Sequence, residues 1–216
     1  MDKTQEESGR VPTIFIIDDE VNLRTSLLNL FESMDMPAAV FASADDFLEN
    51  ANLTSPGCVL LDVQMPGMGG MELQRKLVEM GNPLPIIFMT GNANVNMSVS
   101  AMKAGAFDFL LKPFNANAVI ATTRMALEKD QEYREQAAKL AEIRACASLL
   151  TPREREVLGY VSDGLMNKQI AFEMGISEVM VKLHRGRMMR KMNARSIVEI
   201  VRKFDRVALV QDGAEI

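Results

Sequence analysis

Tryptophan is absent from this 216-residue chain, histidine occurs once and cysteine twice. The two cysteines, Cys58 and Cys146, form no CxxC spacing, so a disulfide framework and a Cys/His metal site are both excluded. Both thiols are expected to be free and buried or half-buried. No apolar run approaches the ~20 residues of a membrane helix. The first ten residues, MDKTQEESGR, are polar where a secretory leader would be apolar. A cytoplasmic protein with no membrane partner is expected. Basic charge is also scarce overall, with a net charge of -5. Division of the chain changes that picture. Residues 1–147 carry 12 Lys+Arg against 20 Asp+Glu, whereas residues 148–216 carry 12 against 9. An acidic front and a mildly basic back imply two functions, and the length suits two domains of ~100 residues each.

What is present is a regular alternation. From Thr13, short β-rich runs (TIFII, AAVFA, CVLLDV, PIIFM and FDFLL) alternate with segments of helical pattern, beginning near Asn22, Ala44, Met71, Val95 and Asn115. Five strand–helix units predict a doubly wound α/β domain on a five-stranded parallel sheet. Ser43 and Asp46 form a capping pair for the second helix. After Arg124 a stretch rich in Ala, Glu, Lys and Leu, without Gly or Pro, predicts that the fifth helix runs on as a linker. Leu127, Tyr133, Leu140 and Ile143 leave a coiled-coil dimer open, although their spacing is loose for a heptad seam. Behind it TPRE starts a helix, with Thr151 as cap, Pro152 at the first position and Glu154 closing the box. Further helices over about Lys168–Met174, Glu178–Met192 and Ser196–Lys203, joined by short turns, predict an all-α module. The last residues, QDGAEI, are expected to fray.

In open parallel sheets, ligands bind outside the carboxyl ends of the strands. Here Asp18 and Asp19 end the first strand, Asp62 the third, Thr90 the fourth and Lys112 the fifth. Three carboxylates gathered there repel one another and call for a hard cation; oxygen-only ligands favour Mg²⁺. With the metal bound, Asp62 can attack phosphorus as a carboxylate nucleophile. Lys112 and the Thr90 hydroxyl can then neutralise and hydrogen-bond the phosphoryl oxygens.

The strings IFIIDDE, LLDVQMPGMGGMEL and PIIFMTGNANVNMSVSAMKAGAFDFLLKPF closely resemble the response-regulator receiver domain, over about Thr13–Leu127, with FixJ-type receivers the nearest kind. The resemblance implies that Asp62 is the phosphoacceptor and that Asp18, Asp19, Asp62 and the backbone carbonyl of Gln64 arrange Mg²⁺. It makes Thr90 and Phe109 paired switch residues and places a cis bond between Lys112 and Pro113. The asparagines of GNANVN depart from FixJ-like chains, which carry more charge or a histidine there. That departure bears on phosphoryl lifetime, because side chains beside the acceptor control water attack.

Between Lys182 and Lys191 the chain has five basic residues, His184 and no acid. At 100° per residue Val181, Met188 and Met192 form an apolar back, and Lys182, Leu183, Gly186, Arg187 and Arg190 the opposite front. Such a helix suits the major groove of DNA. The preceding NKQIAFEMGIS supplies Asn167 as a cap, Ala171 as a small contact, Gly175 at the turn and Ser177 as the next cap. These segments, with LTPREREVL, resemble the LuxR/FixJ-type helix-turn-helix over about Leu150–Lys203. The resemblance implies base contacts by Lys182 and Leu183, backbone contacts by Arg187 and Arg190, and a phosphate contact by Lys168. Met180 and Gly186 depart from the usual pattern, so the DNA site sequence is not transferable. His184 is expected to pack rather than read a base.

The expected layout is a receiver over 11–127, a helical linker over 128–147 and a DNA-binding domain over 148–208. The expected function is regulation of transcription, not enzyme catalysis. A sensor histidine kinase is the phosphoryl donor, double-stranded DNA the target and RNA polymerase a further candidate partner; phosphorylation promotes a homodimer. A phosphatase using an aspartyl-phosphate would need an acid two residues after the nucleophile, and Gln64 stands there. A module binding protein or RNA is disfavoured by the basic front of the helix.

Overall fold

A computed structural model describes residues 11–91 and 95–203, with the backbone alone over 95–98. The chain divides into two compact units, Met1–Arg134 and Glu135–Ile216. The expected end of the DNA-binding domain at 208, the terminal QDGAEI and residues 92–94 of GNANVN lie outside the described residues.

In the first unit strands β1 (Thr13–Ile17), β2 (Ala38–Phe41), β3 (Gly57–Asp62), β4 (Ile86–Thr90) and β5 (Asp108–Leu111) alternate with helices α1 (Val21–Glu32), α2 (Ala44–Asn50), α3 (Gly70–Glu79), α4 (Val95–Lys103) and α5 (Ala116–Ser148). The sheet is parallel throughout, in the order β2-β1-β3-β4-β5. This is the predicted doubly wound α/β arrangement. Period-2 alternation sends successive side chains to opposite faces. Phe15, Ile17, Val59, Leu61, Ile86 and Phe88 meet Phe47 of α2 and Leu73 and Leu77 of α3 on one face. Ile14, Ile16, Cys58, Leu60, Ile87 and Met89 meet Leu27 and Phe31 of α1 and Val119 and Ala126 of α5 on the other. Every residue of β3 is buried, as a central parallel strand covered on both faces must be. Ser43 Oγ accepts from the Asp46 amide at 3.1 Å, capping α2 as expected.

The second unit is helical among the described residues: the end of α5, then α6 (Pro152–Ser162), α7 (Asn167–Met174), α8 (Glu178–Lys191) and a helix over 197–203. Thr151 and Glu154 form the complete capping box, with Pro152 at its first position. Gly175 ends α7 in the left-handed region at φ 64°, where a Cβ would be strained. Ser177 Oγ accepts from the Met180 amide and starts α8. Val181 packs with Val157, Ile170 and Met174, and Met188 and Met192 pack with Ile143, Leu158 and Ile200. One expected cap is different. Met166 is the N-cap of α7, its amide donating to Gln169 Oε1 at 2.8 Å, and Asn167 is the first helical residue. The Asn167 side chain instead accepts from Arg185 of α8. An Asn at a turn is a local signal for a cap, but the long-range arginine offers its oxygen a charge-assisted bond that a free amide cannot match.

Candidate functional site

At the carboxyl ends of the strands the chain must leave the sheet, and short-range bonds from backbone amides to Asp18 and Asp62 fix the turns there. Asp18 and Asp19 follow β1 directly, Asp62 is the last residue of β3 and Thr90 of β4, and Lys112 follows β5. Asp18 is fully buried and Asp62 nearly so, at 5% exposed. The Lys112 ammonium donates to Asp18 Oδ2 and to Asp62 Oδ1, both at 2.7 Å. The remaining oxygens are also engaged: Asp18 Oδ1 accepts from the Glu20 amide and Asp62 Oδ2 from the Gln64 amide, both at 2.8 Å. Arg24 of α1 donates to the Asp18 carbonyl at 2.6 Å and braces the β1–α1 turn. Gly70 starts α3 against the strand end. A Cβ there would lie 2.3 Å from the Asp62 carbonyl oxygen, so only glycine lets α3 approach this closely.

Electrostatics follow from this packing. Burial pushes the Asp62 carboxyl above the usual carboxylate range; bonding to Lys112 opposes it, and the charge of Asp18 adds to it. Burial works against the Lys112 ammonium, but hydrogen bonds to Asp18 and Asp62 outweigh it and hold its pKa above the ordinary lysine value. The lysine therefore stays charged between two carboxylates. The Lys112 amide donates to the Thr90 carbonyl at 2.7 Å, tying β5 to the end of β4 beside the Thr90 side chain, which is buried. Phe109 is half-buried and stacks on Phe88 of β4, with ring centroids 5.4 Å apart. The Lys112–Pro113 peptide is cis, as the resemblance implied. An open cavity of about 450 Å³ is lined by Glu20 and Leu23 and opens on Lys112 and Pro113.

Of the expected metal ligands, the structure brings Asp18 and Asp62 together on Lys112; the Gln64 amide, not its carbonyl, meets Asp62, and Asp19 is exposed. Among the described residues no three acidic, histidine or cysteine side chains form a ready metal cluster. What converges is a pair of hard oxygen donors whose two charges face one ammonium, flanked by the exposed Asp19 and Glu20. Surplus negative charge and all-oxygen donors fit Mg²⁺, which keeps much of its own water and needs few protein ligands.

In the second unit, Lys182, Leu183, Gly186, Arg187 and Arg190 of α8 are all exposed, as is Lys168 of α7. The other two basic residues of the helix are used internally. Arg185 binds Asn167, and Lys191 forms an ion pair with Glu154 at 2.6 Å. Glu154 is 2% exposed, and the pair ties the end of α8 to the start of α6 across 37 residues. Hydrogen bonds from Lys191 and Thr151 overcome burial and hold the Glu154 carboxyl below its ordinary value. His184 is half-buried with its Nδ1 enclosed, matching the packing role expected of it. Sequence reasoning did not single out Arg24 or the Glu154–Lys191 pair. Glu154 was legible only as a cap.

A parallel five-stranded sheet with an acid–lysine pocket at its carboxyl edge, followed by a helical unit with a basic outer helix, defines a two-part signalling protein: a receiver and a DNA-binding module. Residues 14–124 match the model of the response regulator receiver domain, and residues 148–204 that of bacterial regulatory proteins of the luxR family. Nodulation protein W of Bradyrhizobium diazoefficiens is 36% identical over 209 residues, covering 97% of this chain and 92% of that protein. The transcriptional regulatory protein FixJ of the same organism is 38% identical over 199 residues, covering 92% and 97%. The solved structure of response regulator StyR superposes with a TM-score of 0.83 at 40% identity, covering 90% of this chain and 98% of that one. The chain belongs to the response regulators with a LuxR-type DNA-binding domain, a family of two-component transcription regulators.

Proposed function

We propose that this protein takes a phosphoryl group on Asp62 from a sensor histidine kinase and, so modified, dimerises and binds double-stranded DNA through α8. The observation that carries this reading is the position of Lys112, whose ammonium bridges Asp18 and Asp62 at 2.7 Å at the carboxyl edge of the sheet. An Asp62 oxygen forms a P–O bond while the P–N bond of a phosphohistidine breaks, and the departing imidazole nitrogen takes up a proton. Lys112, already in contact with Asp62, follows the charge onto the phosphoryl oxygens. Asp18, Asp19, Asp62 and the Gln64 carbonyl hold Mg²⁺, which supplies charge neutralisation for an anionic nucleophile meeting an anionic phosphate. Thr90 and Phe109 report the phosphoryl group by shifting toward it, and the helical linker carries the change onward.

The proposed division is a receiver over 11–127, a linker over 128–147 and a DNA-binding domain over 148–208. Lys182 and Leu183 face base edges, while Arg187, Arg190 and Lys168 face phosphates. A single module with Gly186 at the centre of its reading face offers few base contacts, so specific binding needs two modules on paired half-sites. RNA polymerase is a further candidate partner. A cytoplasmic setting is proposed from the match to the luxR-family regulators, which must reach DNA.

Incubation of the full chain with Mg²⁺ and a small phosphodonor tests the central step. One acid-labile phosphoryl group is expected, absent in Asp62→Asn, together with salt-dependent DNA binding that tightens on loading. Labelling of Asp62→Asn at the wild-type level refutes the acceptor assignment.

A further inference from the structure

The buried stripe of α5 runs through Val119, Thr122, Thr123 and Ala126, and the next position on that stripe is Asp130, 2% exposed. A carboxylate at an inward position costs several kcal/mol unless it is paired and hydrogen-bonded. Asp130 Oδ2 accepts from the backbone amide of Gly57 at 2.9 Å and from Arg134 Nε at 2.7 Å. Asp130 Oδ1 is buried without a hydrogen-bond partner. The rest of the Arg134 guanidinium spreads over the α2–β3 loop, Nη1 donating to the Thr54 carbonyl at 3.0 Å and Nη2 to the Ser55 carbonyl at 2.9 Å. One side chain thus satisfies three acceptors in the planar fork that only arginine provides.

An ordinary i,i+4 pair on an exposed helix face contributes a few tenths of a kcal/mol and orders nothing else. This pair is different on three counts. Its carboxylate is enclosed, so it sacrifices the cheaper apolar contact that the stripe would otherwise make. Its partners lie 73 to 80 residues away in sequence, at the amino end of β3. And β3, buried over all six residues, begins at the latched Gly57 and ends at Asp62. Apolar side chains on a stripe can slide by a fraction of a turn; directed hydrogen bonds to a backbone amide and two carbonyls allow one axial and rotational setting.

The first compact unit ends at Arg134, inside α5. We propose that Asp130 and Arg134 are a polar latch that fixes the register of the linker helix on the receiver, and that signal transfer from Asp62 to the DNA-binding unit depends on it. This proposal rests on the phosphorylation-controlled function above. The latch takes no part in phosphoryl chemistry, because it binds the end of β3 opposite Asp62. Its role is to convert movement of the receiver into a defined movement of the helix that leaves it. Without the latch the turn at 128–134 loosens, and the strain that should pass along α5 is dissipated there.

The test uses the full chain as wild type, Asp130→Asn and Arg134→Met. Asparagine keeps the volume of Asp130 but loses the charge held by Arg134. Methionine removes the guanidinium but leaves the enclosed Asp130 carboxylate without its charged partner, so Asp130→Asn, which leaves no buried charge, is the variant that retains its fold. Three quantities are measured: phosphoryl loading with Mg²⁺ and a small phosphodonor, amide exchange at Gly57 and over 128–134, and the ratio of DNA affinities with and without donor. Loading is expected within about twofold of wild type and exchange at Gly57 about tenfold faster, as for an opened local contact. The affinity ratio is expected to fall at least about fivefold, the lower end of ordinary coupling between sites. A ratio equal to wild type in both variants, with exchange at Gly57 accelerated, overturns the proposal by reducing the pair to a local fastening. Unchanged exchange at Gly57 overturns it by showing that the latch bears no load. A wild-type protein that loads but shows no affinity ratio refutes the phosphorylation-controlled function itself, a result distinct from either.

Discussion

Replacing Glu154 by Gln isolates the ion pair that ties the end of α8 to the start of α6. Gln keeps the volume and one acceptor oxygen, so the Thr151 amide, now 2.9 Å from Glu154 Oε2, retains its partner. The loss is the charge that meets Lys191 at 2.6 Å. A hydrogen bond between charged groups contributes about 1.5–3 kcal/mol. Lys191 is 33% exposed and can turn to water, so the lower half of that range applies, about 1.5–2 kcal/mol. Glu154→Ala also opens the capping box and costs about 1 kcal/mol more. The charge makes the effect pH-dependent. Glu154 has a folded-state pKa below its unfolded value near 4.3. Its contribution is therefore complete above about pH 4.3 and is lost as pH falls through the lowered folded value. Because the chain has two units and one global free energy is not defined for it, the assay is denaturant-dependent amide exchange over α6 and α8 at pH 7 and at acid pH. Loss of protection equivalent to less than about 0.5 kcal/mol at pH 7, the range of ordinary surface substitutions, refutes the reasoning. So does a wild-type acid dependence that persists undiminished in the Gln variant.

Asp62→Asn should stabilise the first unit in Mg²⁺-free buffer at pH 7 by roughly 0.5–2 kcal/mol. Burial raises the Asp62 pKa, so its ionised form costs stability as pH rises past the unfolded value; equal or lower protection of β3 in denaturant-dependent amide exchange contradicts this. Thr90→Ala should retain loading and weaken the DNA response, whereas equal loss of both would make the hydroxyl part of the chemistry. Lys182→Ala should alter sequence preference at a cost of roughly 1–3 kcal/mol, while Arg190→Ala should weaken all sites alike and reduce the salt slope by about one; binding selection and salt titration separate the two.

The sequence alone determined the class of fold and the residue types that stand at both candidate sites, because those depend on local rules. Period-2 strands, the Thr151–Glu154 box, the Ser43 and Ser177 caps and acids at strand ends are each written within a few consecutive residues. The exposed front of α8 follows from helical geometry, and Val181, Met188 and Met192 are buried as their spacing required. Asn167 shows the limit: its local pattern signalled a cap, but Arg185, 18 residues away, takes its oxygen. Only the tertiary structure decided that Lys112 holds Asp18 and Asp62 together, that Lys191 is bound inward by Glu154 and so differs from its exposed neighbour Arg190, and that Asp130 and Arg134 reach back to β3 from a helix whose sequence reads as linker. A charged residue carries the same letter whether it faces water or a partner. Pairing between distant residues is chosen by the packing that brings them within hydrogen-bond reach, and no local periodicity records it.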